Sequence, residues 1–280
     1  MHPFQKRSLA YLECKASKGL EMTSPAKYTS LILNINRSIA TVTLNRPSLR
    51  NSFNEVLISE LTNVFEELSN NAEVRVIVLA ASGISFCAGA DLGWMKAMAS
   101  FSYEENLADA ELLAKMLNTL YRCHIPIIAR VQGDAYGGGV GLAAVCDIVV
   151  ASNNAHFCLS EARLGLLPAT ISPYVIRAMG EQASRRYFIT SERFSASEAF
   201  RIGFVHVLSE SDDLDMQVDR ICQAILQNGS QAVAECKRLV QDFSNQAIDV
   251  KLIQDTVKRI ADIRGSDEAQ ARMKSFLEKK

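Results

Sequence analysis

The chain has 280 residues, 48% of them hydrophobic and 22% charged, with a formal net charge of -1. That balance leaves no global basic field or basic stripe for nucleic acid. The longest apolar runs, such as VIVLA at 76–80, stop far short of the ~20 residues a bilayer span needs, so neither nucleic acid nor membrane is expected as a partner.

Residues 1–24 read as a loose N-terminal extension. The stretch to Glu21 lacks the apolar core of a secretory signal, carries Glu13 and Glu21, and is read as a tail or as sequence upstream of a start at Met22. From Lys27 to Leu44 two alternating segments, YTSLILNI and SIATVTLN, flank the polar Asn36–Ser38 and predict an antiparallel hairpin. Ser52-x-x-Glu55 is a capping-box signature, and the apolar spacing of Val56, Leu57, Leu61, Val64, Phe65 and Leu68 predicts a helix after it. VRVIVLAA at 74–81 predicts a buried strand. A second capping box, Ser102-x-x-Glu105, opens a helix running to about Cys123. IPIIARVQG predicts a strand, GGGVGLAA a helix of small residues, and DIVVAS and AHFCLS two further short strands. Ser195-x-x-Glu198 opens a short helix stopped near Gly203. From about Asp212 the pattern is helical to the end, punctuated by Gly229 and Gly265. Strands alternating with helices up to about 209, followed by a helical tail, imply an α/β core.

Several chemistries are excluded by motif. GxxxxGK[ST] is absent and GGGVGL does not fit GxGxxG, so neither nucleotide-binding loop is supported. GxSxG is absent as well. The four histidines, His2, His124, His156 and His206, show no metal-ligand spacing, so no metal site is expected. The seven cysteines (Cys14, Cys87, Cys123, Cys146, Cys158, Cys222 and Cys236) are odd in number and form no CxxC pair. They read as reduced, mostly buried thiols in a reducing, cytoplasmic compartment, with Cys87 and Cys158 as core packing.

Two segments remain, FCAGADLGWM (86–95) and YGGGVGL (136–142). Each places small residues where a strand hands over to a helix, a junction whose orphan N–H groups point outward. Glycine is costly in a regular element, so three in a row at 137–139 indicate close approach to something. Either the chain packs tightly there or the N–H groups face a ligand. Two such donors meeting at one point would form an oxyanion hole, where losing one donor costs ~2.7–4 kcal/mol. On the segment after ADL, Trp94, Met95 and Met98 lie at helical spacing, which ordinarily marks core.

FCAGADL, QGDAYGGGVGLAAVCDIVVAS and FCLSEARLGLLPA resemble, in that order, the crotonase superfamily of enoyl-CoA hydratases and isomerases. The resemblance runs from about Tyr28 to the terminal FLEK at 276–279. It implies a ββα spiral core over 25–209 and a C-terminal helical oligomerisation region over 210–280, assembled as a trimer or dimer of trimers. It implies an acyl-CoA thioester as substrate, with coenzyme A as part of that substrate and no further cofactor. The family's oxyanion donors fall on the backbone N–H groups of Ala90 and Gly138, where bare backbone would let a thioester oxygen approach. Contacts with substrate and CoA fall on Ala88, Asp91, Leu92 and Trp94, and on Phe276 and Lys279 reaching from a neighbouring subunit. ADLGWM, SYEENLADA, ISPYVIRAMGE and RRYFITSERF look most like bacterial methylglutaconyl-CoA hydratases and their isohexenylglutaconyl-CoA relatives.

One position departs from the family pattern. Hydratases of this family carry one glutamate in the helix after GGG and a second in the following SE/PE turn. The second is present as Glu161; the first position is Gly141, which can transfer no proton. One carboxylate can move a proton between carbons, which is isomerisation, or deprotonate water and return the proton to C2, which is hydration. A chain that kept CoA binding without activity is the third reading. Gly141 also implies opened volume and one negative charge fewer, which suits an acyl group carrying its own carboxylate. Arg130 and Arg163 are the nearby cations in sequence.

Overall fold

The structure, a computed structural model, describes residues 27–278. The N-terminal extension, Met22, Cys14, His2 and Lys279 lie outside the described residues.

The predicted hairpin is β1 (Leu31–Asn36) and β2 (Ile39–Leu44), paired antiparallel from Leu31↔Leu44 to Asn36↔Ile39. Its two-residue turn, Arg37 and Ser38, has φ of 49° and 67°, the primed geometry that matches strand twist. The helix after it, α1 (Glu55–Ser69), is capped differently from the expectation. Asn54, not Ser52, is the N-cap and accepts from Leu57 N–H at 3.0 Å, while the Ser52 hydroxyl donates to Leu49 O. The signature was displaced because residues 50–53 are paired with a second segment, described below, and the helix can start only beyond it.

After β3 (Val76–Ala81) the chain winds as a spiral. β3, β5 (Ile127–Val131), β7 (Ile148–Ser152) and β10 (Val207–Ser209) join a six-stranded sheet in the order β1-β2-β3-β5-β7-β10. β4 (Ser85–Cys87), β6 (Asp134–Tyr136), β8 (His156–Cys158) and β9 (Phe194–Ser195) form a four-stranded sheet in that order. Each turn therefore gives one strand to each sheet and then a helical segment. Those segments are α2 (Leu92–Met98) with α3 (Tyr103–Arg122), then α4 (Gly138–Ala144), then α5 (Ser172–Met179) with α6 (Glu181–Thr190). Apart from β1, the large sheet is parallel, as the near-continuous apolar run of β3 requires. The capping box at α3 is complete, with the Ser102 hydroxyl accepting from Glu105 N–H and the Glu105 carboxylate accepting from Ser102 N–H. Ser195 likewise caps α7 (Ala196–Arg201), but the Glu198 carboxylate accepts from Tyr187 and Arg201 instead of closing the box.

Alternate residues of β5 show the two faces of the large sheet. Ile127, Ala129 and Val131 belong to the main core between the sheets. Ile128 faces the other way, where α8 (Leu214–Leu226) lays Leu214, Val218 and Cys222 over Val76, Val78 and Val150. α9 (Ser230–Phe243) is tied down by Lys237, whose ammonium donates to Asp147 at 2.7 Å and to Ile125 O at 3.2 Å. α10 (Val250–Arg264) and α11 (Asp267–Glu278) bury none of their residues. The break between α9 and α10, which the sequence pattern did not mark, ends at Asp249, whose carboxylate caps Leu252 N–H.

Candidate active site

Residues 88–91 are held against residues 50–53 by backbone bonds. Ala88 N–H donates to Arg50 O at 3.0 Å, Phe53 N–H to Gly89 O at 2.7 Å, and Asp91 N–H to Phe53 O at 2.8 Å. Ala90 sits between the last two in this parallel bridge, so its own N–H faces away from Phe53. Among the described residues that N–H has no hydrogen-bond partner. Asp91 fixes the same turn: its carboxylate accepts from Gly93 N–H at 2.8 Å and from Arg46 Nη2 at 2.9 Å. Burial pushes the Asp91 carboxyl up, but those donors outweigh it and hold the group below the usual carboxylate range.

The second junction is Gly137–Gly139. Gly137 has φ of +50° and donates to Cys158 O at 2.8 Å. Gly138 opens α4, so its N–H has no intrahelical acceptor and, among the described residues, no other. The glycines answer to protein packing more than the sequence suggested. A Cβ at Gly139 would lie 2.4 Å from Cys87 O, one at Gly138 2.9 Å from the Phe53 ring, and one at Gly137 3.0 Å from Glu161 Oε1. The side-chain space is thus taken by the end of β4, by Phe53 and by Glu161, while the Gly138 N–H stays unpaired. Phe53 joins the two junctions: it pairs with Ala90 through its backbone and covers Gly138 with its ring.

Glu161 begins a 3-10 turn, Glu161–Leu164, that follows β8 after Leu159 and Ser160. Its Oε2 is buried and has no partner among the described residues. Burial pushes its carboxyl above the ordinary range, partly offset by its own backbone N–H. The site therefore combines two unpaired backbone donors with a desolvated, unpaired carboxylate beside one of them. Donors of that kind can hold a developing oxyanion, and a carboxyl with a raised pKa is suited to proton transfer near neutrality.

At Gly141 the structure corrects the expectation of opened volume. A Cβ there would stand 2.2 Å from Ile171 Cγ2 and 2.6 Å from Ile171 Cβ. Ile171, the residue before α5, is 2% exposed and fills the space. The two arginines near the site in sequence are both engaged elsewhere. Arg130 lies on the α8 face of β5 and pairs with Asp215, away from the site. Arg163 donates to Ser191 O at 2.7 Å.

The remaining expected contacts lie on α2 and α11. Leu92 is 76% exposed on α2. Trp94 is buried in the main core, and its indole N–H donates to Asp109 on α3 at 2.9 Å. Phe276 is 64% exposed on α11, outside the main core. Sequence reading assigned no role to Phe53, Asp109 or Ile171, although SYEENLADA and ISPYVIRAMGE, quoted for the resemblance, contain Asp109 and Ile171. A cleft of about 910 Å³ lined by Arg122, Arg177, Asp242 and Arg259 shares no residue with this site.

The chain matches the enoyl-CoA hydratase/isomerase family over residues 34–280. The crystal structure of an enoyl-CoA hydratase from Shewanella pealeana is 41% identical and superposes with a TM-score of 0.88 over 91% of this chain and 95% of that one. The short-chain-enoyl-CoA hydratase of Clostridium acetobutylicum is 31% identical over 90% of this chain and 95% of its own length. Enoyl-CoA hydratase AKT6-1 of Alternaria alternata is 33% identical over 73% of this chain and 67% of its own. The ββα spiral is thus the crotonase fold, and the chain belongs to the enoyl-CoA hydratase/isomerase family.

Proposed function

We propose that the protein is an enoyl-CoA hydratase that adds water to a branched 2-enoyl-CoA, 3-methylglutaconyl-CoA or a close relative met in leucine or acyclic terpene breakdown. The observation that carries the reading is the desolvated Glu161 carboxylate lying against Gly137, next to the unpaired N–H of Gly138. In the reaction, Glu161 takes a proton from water as the water oxygen bonds to C3. The C2=C3 π electrons shift toward the thioester, and the enolate oxygen is held by the N–H groups of Ala90 and Gly138. Glu161 then returns the proton to C2 and the thioester carbonyl re-forms, so one water is added and the carboxylate is regenerated. Ala88, Asp91, Leu92 and Trp94 border the thioester and CoA. Phe276 and Lys279 extend this contact from a second subunit of a homotrimer or dimer of trimers.

An acidic acyl group is favoured because Gly141 places no negative charge beside it. The absence of a carboxylate at 141 also favours a second reading, isomerisation of a 3-enoyl-CoA, in which Glu161 moves one proton between C4 and C2. No metal or redox group is required by either route. Turnover of 3-methylglutaconyl-CoA and crotonyl-CoA by the purified protein, with products weighed by mass spectrometry, tests the proposal. Gain of one water on the glutaconyl thioester with little on crotonyl-CoA is expected; no gain on either would reject hydration, and a rise in conjugated enoyl-thioester absorbance from a 3-enoyl-CoA at constant mass would establish the second reading.

A further inference from the structure

Gly137 and Gly141 are four residues apart, and Gly141 N–H donates to Gly137 O at 3.3 Å. That bond closes the first turn of α4, whose N-cap is Gly137, so the two glycines are neighbours across one turn of backbone, ~6 Å apart along its axis. Glu161 covers the first: its carboxylate oxygen stands 3.0 Å from where a Gly137 side chain would begin. Ile171 covers the second at 2.2 Å, from the start of α5. A carboxylate and an apolar side chain thus cover the two ends of that one turn, and the Glu161 carboxylate carries an unpaired, buried Oε2.

We infer that Ile171 is a positioning residue of the reaction: its side chain takes the place beside Glu161 that a second carboxylate on α4 would need, and so fixes the site to one carboxylate against a dry wall. For its substrate this inference rests on the hydratase reading. A lone carboxylate must both take the proton and return it, and a water lodged at Gly141 would compete for that proton. Ile171, 2% exposed, excludes such a water. The other charged or titratable groups around Glu161 are already engaged. Arg163 donates to Ser191 O, Arg193 is paired with Asp134 at 2.9 Å, and burial pushes the Cys158 thiol up.

The test has two arms. The first is kcat/KM against pH for wild type, Ile171→Val and Ile171→Thr, on whichever enoyl thioester the wild type hydrates or isomerises. Threonine brings a hydroxyl at nearly the volume of valine. The acid limb should move to lower pH by about half a unit or more in Ile171→Thr and stay in place in Ile171→Val, with kcat changing more than KM. One limb shared by all three proteins overturns the inference. The second arm reads thermal midpoints and needs no turnover. Gly141→Ala alone should lower the midpoint, and Gly141→Ala with Ile171→Ala should lose less than the two single losses added together. Additive losses overturn the packing on which the inference stands. A wild type that turns over no enoyl thioester rejects the hydratase reading and the proton-transfer role together, while the second arm still decides the packing.

Discussion

At the scale of single residues, Glu161 bears the most weight. Glu161→Gln keeps shape and removes the base, so thioester turnover should fall roughly 10²–10⁴-fold; unchanged turnover in a steady-state assay would remove Glu161 from the mechanism. The same carboxyl should show in stability. Burial raises its folded pKa above the unfolded value, so its contribution is fully present below the ordinary glutamate range and is lost as pH rises through the raised folded value. Glu161→Gln should therefore melt above wild type at neutral pH, with the gap closing near pH ~4, the unfolded glutamate range. Paired melting curves across pH check the sign. Glu161, Ala90 and Gly138 could be located in the sequence only because FCAGADL, YGGGVGL and FCLSEARLG resemble a family. Nothing in their local chemistry distinguishes a packing turn from a donor pair. Phe53 and Ile171 were silent for a different reason: each matters through a glycine on a distant segment, and a missing Cβ does not announce what fills its place.

At the scale of elements, what local hydrogen bonding decides was readable, and what tertiary pairing decides was not. The hairpin turn and the α3 capping box are closed within a few residues, and both follow the pattern. The start of α1 does not, because the bridge between Phe53 and Ala90 takes residues 50–53 away from the helix. Asn54→Ala should accordingly lower stability by about 0.5–2 kcal/mol in chemical denaturation, the ordinary range for a lost side-chain cap. Phe53→Ala should do more. It empties a fully buried ring site, an effect of about 3–5 kcal/mol for Phe→Ala in a core. It also removes the surface that spaces Ala90 from Gly138, so kcat should drop more than KM rises. Denaturation and steady-state kinetics on one preparation separate the two effects; a stability loss with kcat intact would mean that Phe53 does not set the donor spacing.

At the scale of the whole molecule, the helical tail divides in two. α8 is part of the sheet packing, and α9 is anchored through Lys237 to Asp147, which also accepts from Ile127 N–H at 2.8 Å. Lys237→Met should leave that carboxylate short of its cation, on the order of 1–3 kcal/mol in denaturation. By contrast α10 and α11 hold Val250, Val257, Ile260 and Leu277 exposed. If a second copy covers them, Val257→Asp with Ile260→Asp should shift the mass in light scattering toward the single chain; a wild type already at single-chain mass would refute the assembly.

The contact between Gly141 and Ile171 also constrains how such a sequence can change. With 2.2 Å between a new Cβ at 141 and the methyl of Ile171, a side chain gained at 141 must displace Ile171 unless residue 171 has already become smaller. The less costly order of substitutions therefore starts at residue 171. Shrinking residue 171 first opens the wall before any second carboxylate arrives, so that path to two carboxylates passes through a protein that has neither the apolar wall nor the second acid.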